Sequence, residues 1–158
     1  MSNMANIYKN KKPTMSITYN NIIKKFSDIA VMNPFISRFG AGQINDVEKI
    51  NDGAFPVLWV VPQSADFDNS TLTYRFRVMV FDIDQSDDSL QQEILSDTLQ
   101  ILIDVKKVFQ YDTDYDYTVD ETTSATPFTE RFVDYTTGWF ADIDVITDLN
   151  NNPCNIPE

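Results

Sequence analysis

Apolar positions recur along the chain at two different periods, which predict helices alternating with strands. Helical spacing from about Thr18 to Val31 predicts a first helix, which the following Asn33-Pro34 ends. FPVLWVVP (55–62) is apolar on both faces, which is typical of a strand that is covered on both sides and stops at its proline. TLTYRFRVMVFDID (71–84) alternates, so we expect it to be the second strand of a hairpin with the loop QSADFDNS.

The next segment, 84–110, has the most regular helical pattern in the chain. Ser86, Asp87 and Asp88 stand at its start, where hydroxyls and carboxylates satisfy free N–H groups. The apolar stripe predicted to be buried consists of Leu90, Ile94, Ile101, Val105 and Val108. These features predict one long helix.

A second hairpin is expected after this helix. It pairs a strand near Ala125–Tyr135 with FVDYTTGWFADIDVIT (132–147), which alternates from Trp139 onward. One face of that last strand is apolar and predicted to be buried, and it carries Trp139, Ala141, Ile143 and Val145. The order helix, hairpin, long helix, hairpin predicts an α+β fold, with a mainly antiparallel four-stranded sheet and helices packed on one face.

Charge is unevenly distributed along the 158 residues, whose net charge is −12. Through Arg38 six bases stand against the single acid Asp28, which gives +5 and leaves −17 for the remainder. With the periodicity, this predicts a flexible basic arm at 1–15, one domain at 16–148 and a polar tail at 149–158. The residues after Arg38 are acidic enough to repel nucleic acid. The candidates for contact with an acidic partner are Lys9, Lys11 and Lys12 of the arm.

The composition removes several classes of function. The chain has no histidine, so histidine-based triads and imidazole zinc sites are excluded, and its single Cys154 permits no intrachain disulfide. Its four glycines form neither a dinucleotide-binding nor a P-loop motif. No apolar run approaches the ~20 residues that span a bilayer, so no membrane contact is predicted.

Two acidic patterns are candidates for metal binding. Asp82, Asp84, Ser86 and Glu93 match oxygen-ligand positions of an EF-hand loop, but Asp87 stands where that loop needs glycine. A strand also precedes the pattern, so capping of the long helix is the favoured interpretation. No metal or cofactor is therefore predicted here.

The second pattern is the pair Asp142 and Asp144, two apart on the polar face of the last strand and so about 6.5 Å apart. That spacing overlaps the carboxyl spacing of some inverting glycosidases, and two such carboxylates can hold a divalent metal. Arg75 and Arg77 are also two apart on a polar strand face. If the two strands are neighbours, the four residues form a cross-strand charge ladder, and this structural interpretation is favoured over catalysis.

Four segments together resemble the tail terminator, or tail-completion, proteins of tailed bacteriophages. They are FPVLWVVPQ (55–63), VMVFDID (78–84), EILSDTLQILIDV (93–105) and GWFADIDV (138–145). The resemblance covers about residues 16–147. It implies a non-enzymatic virion protein, made in the host bacterial cytoplasm, that forms a homo-oligomeric ring in the neck at the head-proximal end of the tail.

Such a ring joins the tail to the connector, contacts the adjacent neck, tail and connector proteins, and lets DNA pass without specific binding. The resemblance thus gives Asp142 and Asp144 a second interpretation, as part of an acidic lumen. Two alternatives stay open. One is a stopper or adaptor ring of the head–tail junction, and the other is a carboxylate-based hydrolase or metal-dependent nuclease that uses Asp142 and Asp144.

Overall fold

A computed structural model describes residues 16–43, 45–46, 54–84, 87, 89–129 and 135–149. Within these residues the chain forms two helices and six strands. In chain order they are α1 (Tyr19–Met32), β1 (Arg38–Ala41), β2 (Val57–Phe67), β3 (Thr71–Ile83), α2 (Gln91–Gln110), β4 (Thr118–Val119), β5 (Ala125–Thr129) and β6 (Thr136–Asp148).

The strands form one mixed sheet in the order β1-β2-β3-β6-β4, with β5 also paired to β6. β1 and β2 are parallel, and every other pair is antiparallel. β4 and β5 lie end to end along the same edge of β6, because β4 pairs near Val145 and β5 pairs from Ala141 to Thr137.

The α+β class agrees with the sequence prediction, but the mainly antiparallel four-stranded sheet is wrong. The sheet has six strands in the described residues and includes the parallel pair β1–β2. β1 has only four residues and β4 only two, which is too few to show an alternating pattern. The sequence pattern therefore predicted connecting segments, not strands, at both places.

The first hairpin is longer than predicted, and Pro62 does not end its first strand. β2 continues to Phe67, because the pairing shifts register between Pro62 and Ser64 and the irregularity accommodates a residue without an N–H. The turn contains only residues 68–70. Asp68 stabilises it by accepting the N–H groups of Ser70 and Thr71, both at 2.7 Å, and these bonds lower the pKa of its carboxyl.

Both helices pack on the same face of the sheet. Thr18 begins α1 through a capping box with Asn21, and Ile22, Phe26 and Ile29 point into the core as predicted. On α2 the predicted stripe is right in the middle and wrong at its ends. Leu90 and Val108 are exposed, whereas the buried residues of the helix are Ile94, Thr98, Ile101, Leu102, Val105 and Phe109.

The opposite face of the sheet carries a second, smaller apolar cluster beside β5. Its buried members are Val57, Trp59, Val61, Met79, Phe81 and Phe128. Gly138 of β6 lies beneath this cluster, opposite Phe81 on one side and Phe128 on the other. A Cβ at Gly138 would lie 2.0 Å from the Val80 oxygen and 2.6 Å from the Phe81 Cα, so only glycine fits.

We predict that Gly138→Ala destabilises the protein by about 3 kcal/mol, because backbone atoms of β3 must move to admit the methyl group. Urea unfolding followed by circular dichroism measures the change. Ser64→Ala on an exposed strand position is the control and should change stability by less than about 0.5 kcal/mol. Equal stability of Gly138→Ala and wild type would contradict this packing.

Candidate functional site

The four residues of the predicted ladder lie together on the sheet face that the helices leave uncovered. Arg75 is directly opposite Asp144, and Arg77 is directly opposite Asp142, across the β3–β6 pair. Each contact is bidentate. Arg75 Nε and Nη2 donate to Asp144 at 2.8 and 3.2 Å, and Arg77 Nε and Nη2 donate to Asp142 at 2.9 and 3.1 Å.

The ladder is partly open to solvent, which limits its contribution to stability. The Arg75 and Asp142 side chains are 48% and 42% exposed, and Arg77 also lies over the Phe140 ring, 4.4 Å from its centroid. Hydrogen bonds from Arg75 to Asp144, and from Arg77 to Asp142, raise the pKa of both guanidinium groups. The bidentate contacts therefore fix the alignment of β3 with β6, but they contribute little to the free energy of unfolding because they are partly exposed.

This arrangement favours a structural role for Asp142 and Asp144 over catalysis. A general acid or metal ligand needs a carboxylate free to meet substrate or metal, but each of these is held by a guanidinium. Among the described residues no group of three or more acidic or cysteine side chains is placed to hold a metal ion. In the single chain each of the two aspartates faces an arginine, which agrees with the charge-ladder interpretation rather than with the acidic lumen.

The buried carboxylate of the EF-hand-like pattern is occupied by contacts within the chain. Asp84 is buried, and its carboxylate accepts the N–H of Leu90 at 3.2 Å and the hydroxyl of Thr137 at 3.3 Å. It thereby ties the end of β3 to Leu90, the residue that precedes α2. No side-chain hydrogen bond caps the helix at Leu90, so the capping interpretation is not confirmed. Helix α2 begins at Gln91, later than the predicted Ser86–Asp88; Ser86 and Asp88 lie outside the described residues.

An ionic cluster at the end of α2 was not predicted. Lys25 is only 8% exposed on the apolar face of α1, where it forms an ion pair with Asp112 and lies 3.5 Å from Asp114. Its ammonium is also 5.0 Å from the centroid of the Tyr115 ring. Burial by itself raises the pKa of Asp112, but hydrogen bonds from Lys25 and from the Asp114 N–H outweigh it and lower that pKa.

The sequence contained a signal for this cluster. Lys25 follows Ile22 by three positions and precedes Ile29 by four, so it shares their buried helix face. A charge in such a position requires a partner. The acidic segment after α2, residues 112–121, supplies that partner as Asp112, and it also forms β4 and buries Val119.

Three surface features have the character of contact sites. Beyond Val60 the outer edge of β2 has no strand partner among the described residues, and its residues 63–67 are all exposed. A groove between α2 and β5 includes Ile103, Lys107 and Tyr111. Exposed Met32, Phe35 and Val108 border a second groove between the ends of the helices.

The remaining candidates and comparisons add no chemistry. Lys9, Lys11 and Lys12 lie outside the described residues. None of the described helices has the length and apolar character needed to cross a membrane. No protein-family model matches the chain, and a search of curated proteins likewise gives no match.

For the ladder we predict a small favourable coupling between Arg75 and Asp144, measured by a double-mutant cycle with alanine at each position. The coupling should fall in high salt, because both groups are partly exposed. A cycle between Arg75 and Asp142, which are not directly opposite, is the matched control and should give a smaller value. Equal couplings would contradict the observed register.

For the buried ion pair we predict that Asp112→Asn destabilises the protein by about 2–3 kcal/mol at neutral pH, because it leaves a buried ammonium without its main partner. Lys25→Met should cost only about 1 kcal/mol, since Asp112 is a quarter exposed and can turn to solvent. Urea unfolding of both variants checks this order, and the reverse order would contradict it.

The same pair gives a pH dependence. The pKa of Asp112 is lowered in the folded state, so its contribution is present above the ordinary value of 3.8 and is lost as the pH falls through the lowered value. The stability difference between wild type and Asp112→Asn should therefore shrink at acid pH. A constant difference across that range would show that Asp112 is not the titrating group.

Proposed function

We propose that this chain is a structural subunit of a tailed-phage virion that assembles into a homo-oligomeric ring in the neck, joining the tail to the connector. The observation that carries the proposal is the open outer edge of β2 in the first hairpin. Its residues 63–67 are exposed and lack a strand partner among the described residues. Such an edge is a contact surface for another chain.

The placement of contact surfaces supports a head-to-tail ring. The open part of β2 and the β5 strand lie on opposite sides of the sheet, separated by β3 and β6. β5 carries Pro127, which has no N–H to offer a further strand, so the two edges are not equivalent. Unlike surfaces on opposite sides favour heterologous contacts, which close into a ring when the rotation divides the circle.

Charge supports the passage of DNA through such a ring. The chain carries −12 overall, and the part after Arg38 carries −17, so DNA is repelled rather than bound. The ladder neutralises Asp142 and Asp144, and we therefore assign any acidic lumen to other carboxylates. A terminator and a stopper or adaptor differ in their position in the particle, and cryo-electron microscopy of the virion distinguishes them.

We predict that the purified protein forms a closed oligomer of one size, measured by sedimentation velocity and negative-stain imaging. Ala65→Lys places a charge on the open edge of β2 and should weaken assembly by about 10-fold or more, while Gln92→Lys on exposed α2 should not. A protein that is monomeric at high concentration, and absent from virions, would contradict the proposal.

A further inference from the structure

The tip of the first hairpin is an acidic aromatic projection. Phe67 is 77% exposed, although phenylalanine is ordinarily buried, and the exposed Asp66 and Asp68 flank it. Two backbone N–H groups hold the Asp68 carboxylate and fix the turn. The tip therefore presents one exposed aromatic ring on a defined backbone, with Asp66 projecting from the opposite face of the strand and Asp68 in the turn. An exposed ring held in this way suits an anchor residue.

The groove between α2 and β5 has the complementary character. Its volume is about 470 Å³, large enough for an aromatic side chain. Leu99, Ile103 and Tyr111 supply apolar lining, and Lys106 and Lys107 line the same groove. An aromatic ring inserted there would be buried beside two positive charges.

The two lysines are available to an acidic partner. Among the described residues neither forms an ion pair, and Lys106 donates only to the side-chain oxygen of Gln110 and the backbone oxygen of Glu121. Glu121 also lines the groove, so the two lysines and this glutamate give the groove a formal charge of +1. In a chain of net −12 this is a local positive site.

A tip cannot reach the groove of its own chain. The groove borders Ala141 of β6, whereas the tip lies level with Asp148 at the other end of that strand. Seven residues of extended strand span about 24 Å, and the tip is also two strands away, about 10 Å across the sheet. A Phe67 side chain that enters this groove must therefore belong to another copy of the chain.

We infer that Phe67 of one copy inserts into the α2–β5 groove of the next copy, where the negative charge of the tip is attracted to Lys106 and Lys107. This contact deepens the proposed ring and rests on it, since the projection and the groove are unlike surfaces of one chain. Repeated from copy to copy, it is a heterologous interface. The opposite charges also align the two partners as they meet.

The other exposed grooves suit the tip less well. The groove between α1 and β1, about 510 Å³, includes Lys24, but Asp28 already pairs with that ammonium at 2.8 Å. The groove beside Ser70 is lined by Asp116 and Asp148, whose charge repels the tip.

The groove between the helix ends is smaller, about 290 Å³, and Asp104 lines it together with Met32, Phe35 and Val108. No base lines it in the described part of the chain, so its charge repels Asp66 and Asp68. Charge thus selects the α2–β5 groove.

The experiment compares a tip variant, Phe67→Ser, with a groove variant, Ile103→Ser/Lys107→Glu. Phe35→Ser is the matched control, because Phe35 is a similarly exposed phenylalanine (69%) at the groove between the helix ends. We expect tip and groove variants each to weaken self-association on the order of 30-fold, measured by sedimentation velocity, with the circular dichroism spectrum unchanged.

Mixing gives the decisive readout. A tip variant keeps its groove and a groove variant keeps its tip, so an equimolar mixture should form one-to-one heterodimers while each variant alone is monomeric. Asp66→Lys should also weaken assembly, and adding Lys107→Asp to the same chain should restore it. Restoration separates a direct contact from a loss of folding.

The outcomes separate this contact from the ring itself. If the wild type forms rings and the tip variant does too, or if only Phe35→Ser dissociates, the contact is overturned and the ring stands. If the wild type forms Phe67-dependent open chains or dimers, the contact stands and the closed ring is overturned. A wild type that is monomeric at all concentrations overturns the contact, and its absence from virions as well overturns the ring.

Discussion

The pairing of β3 with β6 is the constraint on which the rest of the structure depends. It runs without interruption from Thr71 opposite Asp148 to Ile83 opposite Thr136. This register sets each arginine opposite its aspartate, places Gly138 against Phe81 and brings Thr137 to Asp84. A slip of one residue would turn apolar positions to solvent and separate all of these contacts, so the side chains on both faces specify a single alignment.

Sequence periodicity identified the parts of the fold that are long and have one buried face. The two helices, β3 and β6 belong to this group, since a stripe or an alternation extends over many residues. β2 was identified instead by its run of apolar residues on both faces, and Val57–Val61 are all buried. The short strands β1 and β4 follow no period, because they add to edges that longer strands create. The continuation of β2 past Pro62 likewise depends on a register shift that only the paired strand reveals.

The candidate site was predictable where its residues all lie on one face of two strands. The sequence spacing predicted the ladder on the condition that the two strands were neighbours, and the structure pairs Arg75 with Asp144 and Arg77 with Asp142. Lys25 was a missed signal, since its place among apolar helix positions required a buried partner. The groove and the exposed Phe67 could not be predicted, because they arise where elements distant in sequence meet or fail to meet.

Pro127 near the middle of β5 has a consequence for solubility. A sheet whose two edges both offer N–H and C=O groups can grow from copy to copy and template cross-β aggregates. Proline leaves one position of β5 without a donor, and the register irregularity after Pro62 distorts the other edge where it becomes open. Both features oppose regular edge-to-edge growth of the sheet, which is the route to cross-β aggregation.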